Sequence, residues 1–165
     1  MKFYEFVKTD AIVPELSAVD KTGVIQELLS ALVAAGHVDR SEESYLFDAL
    51  VKREELGSTG IGEGVAIPHT KHPQLDDMVG TVGVSHEGID FEAFDRQPAF
   101  VFFLLISPTP RTTDHLRALE CISHLVREPF IRTQLQNATT RKEIETILNA
   151  SDGSEPTGSV FAARG

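Results

Sequence analysis

Apolar residues near the start of the chain recur at helical spacing. Val24, Ile25, Leu28, Leu29, Leu32 and Val33 form one stripe, with Asp20 before them as a cap and Gly36 after them as a stop. The same reading predicts a second helix over about 41–56, burying Leu46, Phe47, Leu50 and Val51. The pattern then breaks into Gly57-Ser58-Thr59-Gly60-Ile61-Gly62-Glu63-Gly64, a loop by composition. Residues 65–67, Val-Ala-Ile, follow as a short strand that Pro68 ends. Residues 79–85 mix β-branched and small side chains and predict another strand. The clearest strand is 100–106, an unbroken apolar run that must be buried on both faces.

Ser107-Pro108-Thr109-Pro110 closes that run as a loop. A third helix is predicted from Thr112 or Thr113, burying Leu116, Leu119, Ile122 and Val126. Pro129 interrupts it, a short helix follows over about 130–135, and Thr140-Arg141-Lys142-Glu143 fits a capping box opening a last helix. After Ala150 no periodicity remains, so the expected organisation is one domain over 1–150 and a flexible tail over 151–165. Helices flank a central run of strands without clean β-α alternation. The expected class is α/β, a single domain with a central mixed sheet flanked by helices.

Composition narrows the function. The 165 residues suffice for one real core, with 41% hydrophobic and 24% charged residues, as in ordinary globular proteins. No apolar run approaches the ~20 residues that span a bilayer, and the first six residues are too short and too acidic for a secretory signal. One cysteine, Cys121, cannot pair within the chain, which points to a reducing cytoplasm. The formal charge is −10, from 15 basic and 25 acidic residues, and no basic run exceeds Arg141-Lys142. Nucleic-acid binding needs clustered cations and is therefore not expected. An acidic surface suits either solubility or a basic partner patch.

The candidate chemistry lies in R-E-E-L-G-S-T-G-I-G-E-G-V-A-I-P-H-T-K, residues 53–71. Four glycines in eight residues allow positive φ and close backbone approach, and Pro68 restricts where the His69 ring can point. A P-loop is excluded because G-x-x-x-x-G-K-[ST] is missing, and the glycines at 60, 62 and 64 do not have dinucleotide-binding spacing. A neutral imidazole nitrogen is nucleophilic near neutrality and can carry a phosphoryl group. Such transfer needs in-line positioning and donors or cations around the equatorial oxygens. Arg53, the backbone of the Gly-rich loop and His115 are the candidates to supply them.

These residues carry a resemblance. G-S-T-G-I-G-E-G-V-A-I-P-H-T-K resembles the active-site region of type-2 enzyme IIA domains of the bacterial phosphoenolpyruvate-dependent phosphotransferase system. The fructose/mannitol-type and nitrogen-regulatory enzymes IIA make up that family. S-H-E-G-I-D-F-E-A-F-D with F-V-F-F-L-L-I-S-P, and D-H-L-R-A-L-E-C-I, agree in the right order, so the likeness runs over about 17–148. The resemblance implies the mannitol-type enzyme IIA fold. It implies that His69 is the phosphoacceptor, at Nε2, and that the donor is a phosphohistidine carrier of the HPr type. It further implies that Arg53 assists, that His115 is the second histidine beside the first, and that Ser58, Thr59, Gly60 and Gly62 surround the phosphate. Onward partners would be an enzyme IIB domain, in sugar uptake, or regulatory target proteins. The chain is expected to be free-standing, without fused IIB, IIC or HPr segments, which tilts the expectation toward the regulatory branch. Thr70 stands where a smaller residue is commoner.

Other readings are weaker. A non-catalytic binding module of the same fold would show a damaged site, and His69 and the glycines are intact. No cofactor is expected. His69 and His72 form an H-x-x-H pair, but no cysteine or obvious carboxylate completes a metal site, so no metal and no metal-dependent hydrolase is expected. His37, His86 and His124 have no company that suggests chemistry, and Cys121 reads as core. Without the resemblance, Arg53 reads as a solvated charge or ion pair beside Glu54 and Glu55, and His115 as a capping or core histidine.

Overall fold

The apolar run sets the architecture. In the computed structural model, which describes residues 1–153, it becomes strand β5 (Ala99–Pro108), the centre of a five-stranded mixed sheet. Successive side chains of a strand point to opposite faces. Val101, Phe103 and Leu105 therefore enter one core, and Phe102, Leu104 and Ile106 enter the other. The second core is covered by α1 (Lys21–Ala34) and α2 (Glu43–Glu55). The first is covered by α3 (Thr112–Leu125), α4 (Pro129–Asn137) and α5 (Arg141–Gly153).

On one side β5 pairs antiparallel with β4 (Val79–Ile89), in register from Val79↔Ile106 to Val84↔Val101. On the other it pairs parallel with β2 (Val65–Ala66) and then β3 (His69–His72), which meet Val101–Phe102 and Leu105–Pro108 respectively. A short β1 (Gly60–Gly62) folds back onto β2. The amino-terminal segment runs along the outer edge of β4 through bridges Val7↔Gly80 and Val13↔Gly83, so this edge is not left open there.

Several caps follow the expected chemistry. Asp20 accepts from Gly23 N at 2.8 Å, and Gly36 ends α1 with φ +83°. Thr140 Oγ1 accepts from Glu143 N at 3.1 Å, while Glu143 reaches back to Thr139 N. The expected mixed sheet between helices is present.

Five expectations are corrected. The loop over 57–64 contains β1, joined to β2 by a turn with positive φ at both Glu63 and Gly64, a backbone that glycine favours and that a composition count hides. Pro68 interrupts the strand without ending it. Its carbonyl accepts from Leu105 N at 3.0 Å, and β3 resumes at His69. Leu116 is exposed, not buried, because α3 turns His115, Ala118, Ile122 and Leu125 inward. A polar histidine occupies the core-facing position that an apolar count gives to its neighbour. Helix α5 runs to Gly153, past the expected boundary at 150. The rest of the expected tail, 154–165, lies outside the described residues. Phe47 and Val51 are half-buried where full burial is expected.

Candidate functional site

β3 presents two faces. His69 and Lys71 point toward α3, where the His115 ring lies 5.4 Å from that of His69 and Thr112 Oγ1 accepts from Lys71 Nζ at 3.2 Å. His72 points the other way, toward the start of α2. An odd separation along a strand splits the H-x-x-H pair across the sheet. His72 spends both ring nitrogens, Nε2 against Glu42 at 2.7 Å and Nδ1 accepting from Gln74 N at 2.8 Å. Among the described residues no three His, Cys, Asp or Glu gather as a metal site.

His69 keeps one nitrogen open. Its Nδ1 lies 2.6 Å from the Ile67 carbonyl. A carbonyl can only accept, so Nδ1 carries the proton and Nε2 holds the lone pair. Burial lowers the His69 pKa, the Ile67 bond pushes it back up, Arg53 lowers it and Glu54 raises it. The ring is therefore neutral near pH 7, with its nucleophilic nitrogen fixed by the backbone.

His115 is 5% exposed, and its Nδ1 lies 2.6 Å from Ser107 Oγ. Ser107 is fully buried, and among the described residues its hydroxyl has no other acceptor. The hydroxyl therefore donates to Nδ1, which leaves His115 Nε2 as an N–H donor. Burial first, then His69 and Lys71, push the His115 pKa down to about 4. Two neutral rings thus sit side by side, one offering a lone pair and the other a proton.

The start of the Gly-rich loop is held by the last turn of α2. Arg53 Nη1 donates to Gly57 O at 2.8 Å. The Glu54 carboxylate, turned inward, accepts from Thr59 N at 3.0 Å and from the Thr59 hydroxyl, and pairs with Lys21 Nζ at 3.0 Å. Thr59 O then accepts from Ile67 N at 3.0 Å, one step from the carbonyl that orients His69. Ser58 Oγ donates to Phe91 O at 2.6 Å and accepts from Gly60 N at 3.0 Å. Gly60 is needed for close approach, since a Cβ there would lie 2.9 Å from the Ala93 backbone. Gly62 takes φ +92° against Asp95, which accepts from Glu63 N at 3.0 Å. The side chains of Ser58 and Thr59, and the N–H groups of Thr59 and Gly60, are thus already bonded within the fold.

The structure brings His69 and His115 together and sets the Arg53 charge close enough to act on His69. Three contributors escape the sequence reading. Ser107 lies in the stretch read as a loop. Glu54 reads as a solvated neighbour of Arg53. Lys71 could have been found by counting two residues on from His69 along a strand. Cys121 is half-buried, with its thiol pushed up to about 11 by burial, an inert state.

Residues 5–151 match the family described as phosphoenolpyruvate-dependent sugar phosphotransferase system, EIIA 2. The chain belongs to that family. Enzyme IIA domains are phosphotransfer components of this system. The chain is 36% identical to a nitrogen regulatory protein of Bradyrhizobium diazoefficiens, over 90% of this chain and 95% of that one. It is 34% identical to the fructose-specific EIIABC component of Bacillus subtilis, over 92% of this chain and 24% of that one. The crystal structure of the nitrogen regulatory protein IIA-Ntr from Neisseria meningitidis superposes with a TM-score of 0.78 at 29% identity, covering 87% of this chain and 97% of that one. Among the described residues of this enzyme IIA domain, no helix is long and apolar enough to cross a membrane.

Proposed function

We propose that this enzyme IIA domain accepts a phosphoryl group on His69 Nε2 from a phosphohistidine carrier of the HPr type. The observation that carries the reading is the Nδ1–H···O=C bond from His69 to Ile67, which leaves Nε2 unprotonated and available. The Nε2 lone pair forms the new N–P bond as the carrier's P–N bond breaks, and that electron pair returns to the carrier's ring. Nδ1 keeps its proton on the Ile67 carbonyl. His115 Nε2–H is the donor beside the equatorial oxygens, and Arg53 adds positive charge.

The loop of Ser58, Thr59, Gly60 and Gly62 acts as a frame for Ile67 and His69, since its two hydroxyls and the N–H groups of Thr59 and Gly60 are already engaged. The phosphoryl group then passes to an enzyme IIB domain or is kept as a signal read by regulatory targets. The likeness to a nitrogen regulatory protein over 95% of that relative's length supports the regulatory use, in a cytoplasmic protein.

Phosphoenolpyruvate-dependent labelling with enzyme I and an HPr-type carrier tests this. Acid-labile label lost completely in His69→Ala, and slowed in His115→Ala, is the expected result. A wild type that takes no label from a competent carrier would point instead to a non-catalytic binding module.

A further inference from the structure

We infer that Lys71 is a mobile cation for the phosphoryl group on His69, parked on Thr112 in the resting site; the inference rests on the reading of His69 as phosphoacceptor. Residues two apart on a strand share a face, with Cα atoms about 6.5–7 Å apart. The contacts confirm the shared face for His69 and Lys71, because both side chains meet α3.

The charge pattern around Lys71 is unusual for a chain of net charge −10. Among the described residues Lys71 makes no ion pair, and its partner is the neutral hydroxyl of Thr112. Asp114, Asp77 and Glu42 are engaged elsewhere. Arg111 holds Asp114 at 2.9 Å and Asp77 at 3.3 Å, and His72 holds Glu42. Lys21, the other half-buried lysine near the site, is committed to Glu54.

Lys71 is thus a half-buried residue on the face that carries His69 and His115, and among the described residues its ammonium pairs with no anion. Its charge contributes to holding His115 in the neutral form. A phosphoryl group on Nε2 brings about two negative charges to this face. The four-carbon stem lets the ammonium leave a weak hydroxyl bond and meet them. Arg53 makes its own bond to Gly57 O at the end of α2, next to the Gly-rich loop. Lys71 therefore acts after the N–P bond has begun to form, and its main effect is on how far transfer from the carrier proceeds.

The test compares wild type, Lys71→Met, Lys71→Arg and Thr112→Val at equilibrium with phosphorylated carrier. The phosphorylated fraction is read by phosphorus NMR, with thermal melts run in parallel. Lys71→Met should lower the transfer equilibrium constant roughly tenfold, the scale of one charge-assisted bond. Lys71→Arg should recover most of it. Thr112→Val removes the parking bond and leaves the ammonium free, so it should hold the wild-type value or exceed it. Lys71→Met within about twofold of wild type would overturn the inference. So would a parallel drop in Lys71→Met and Thr112→Val, because a simple tether between β3 and α3 fails equally from either end. A wild type that takes no label overturns the His69 reading itself, and the role of Lys71 falls with it.

Discussion

His69 and His72 stand three residues apart on one strand and have opposite chemistry. On the α2 face, His72 is 2% exposed and both ring nitrogens are bonded. On the α3 face, His69 has one nitrogen bonded to a backbone carbonyl and one left free beside a second imidazole. Burial alone therefore does not mark a functional histidine. What separates the two is how many ring nitrogens the fold consumes and whether the unspent one keeps a lone pair. The same contrast extends outward. The α2 side is saturated by Glu54, Lys21 and Thr59, whereas the α3 side holds a lysine without an anion.

The sharpest way to break the contrast is to exchange the two roles. His69→Ala should abolish phosphoryl acceptance, a loss of at least about a thousandfold in single-turnover labelling. His72→Gln should leave labelling within about twofold of wild type. Equal losses at the two positions would erase the distinction.

Glu54→Ala tests the saturated side. It leaves Lys21 and the Thr59 donors without their partner and should cost about 3 kcal/mol in urea unfolding. Glu54→Ala with an unchanged midpoint would show that the loop does not depend on the carboxylate.

A pH series tests the α3 face. The folded His115 pKa, about 4, lies below its ordinary 6.5. Between those values the unfolded chain binds a proton there that the native chain does not. Stability should therefore fall as pH drops from 6.5 toward 4, by at most about 3 kcal/mol from this ring. The depressed His69 pKa acts in the same direction. His115→Gln should flatten the slope in that window. The smallest effect is the stability cost of His72→Gln itself, about 1–2 kcal/mol from its bonds to Glu42 and Gln74, seen as a shift in the unfolding midpoint.

Much of the fold is legible because the core repeats itself. The apolar run of β5 needs cover on both faces, and the stripes of α1 and α3 can supply it only from opposite sides. The site is legible where residue type carries the message, as with Pro68-His69 and the glycines. It is opaque where a polar residue is spent on internal geometry. His115 takes an inward position on α3 that periodicity assigns to Leu116, because a bond from buried Ser107 meets its need for a partner. Glu54 looks like half of a solvated acidic pair, yet it is buried by a lysine more than thirty residues earlier and a threonine five residues later. Spacing along one chain does not encode either pairing. The β1 hairpin is hidden for another reason: four glycines announce a loop, while the pairing of Gly60 with Ala66 depends on a turn that tolerates Glu63 at φ +56°.

The central claim is that His69 enters the reaction as a neutral ring with its proton on Nδ1 and its lone pair on Nε2. Long-range nitrogen–proton NMR of the histidine rings, before and after phosphorylation by the carrier, tests it most directly. The account predicts an Nδ1–H tautomer for His69 at rest and a phosphorus coupling at its Nε2 afterwards, with His72 unchanged. An Nε2–H tautomer at rest, or phosphorus on any other ring nitrogen, would contradict it.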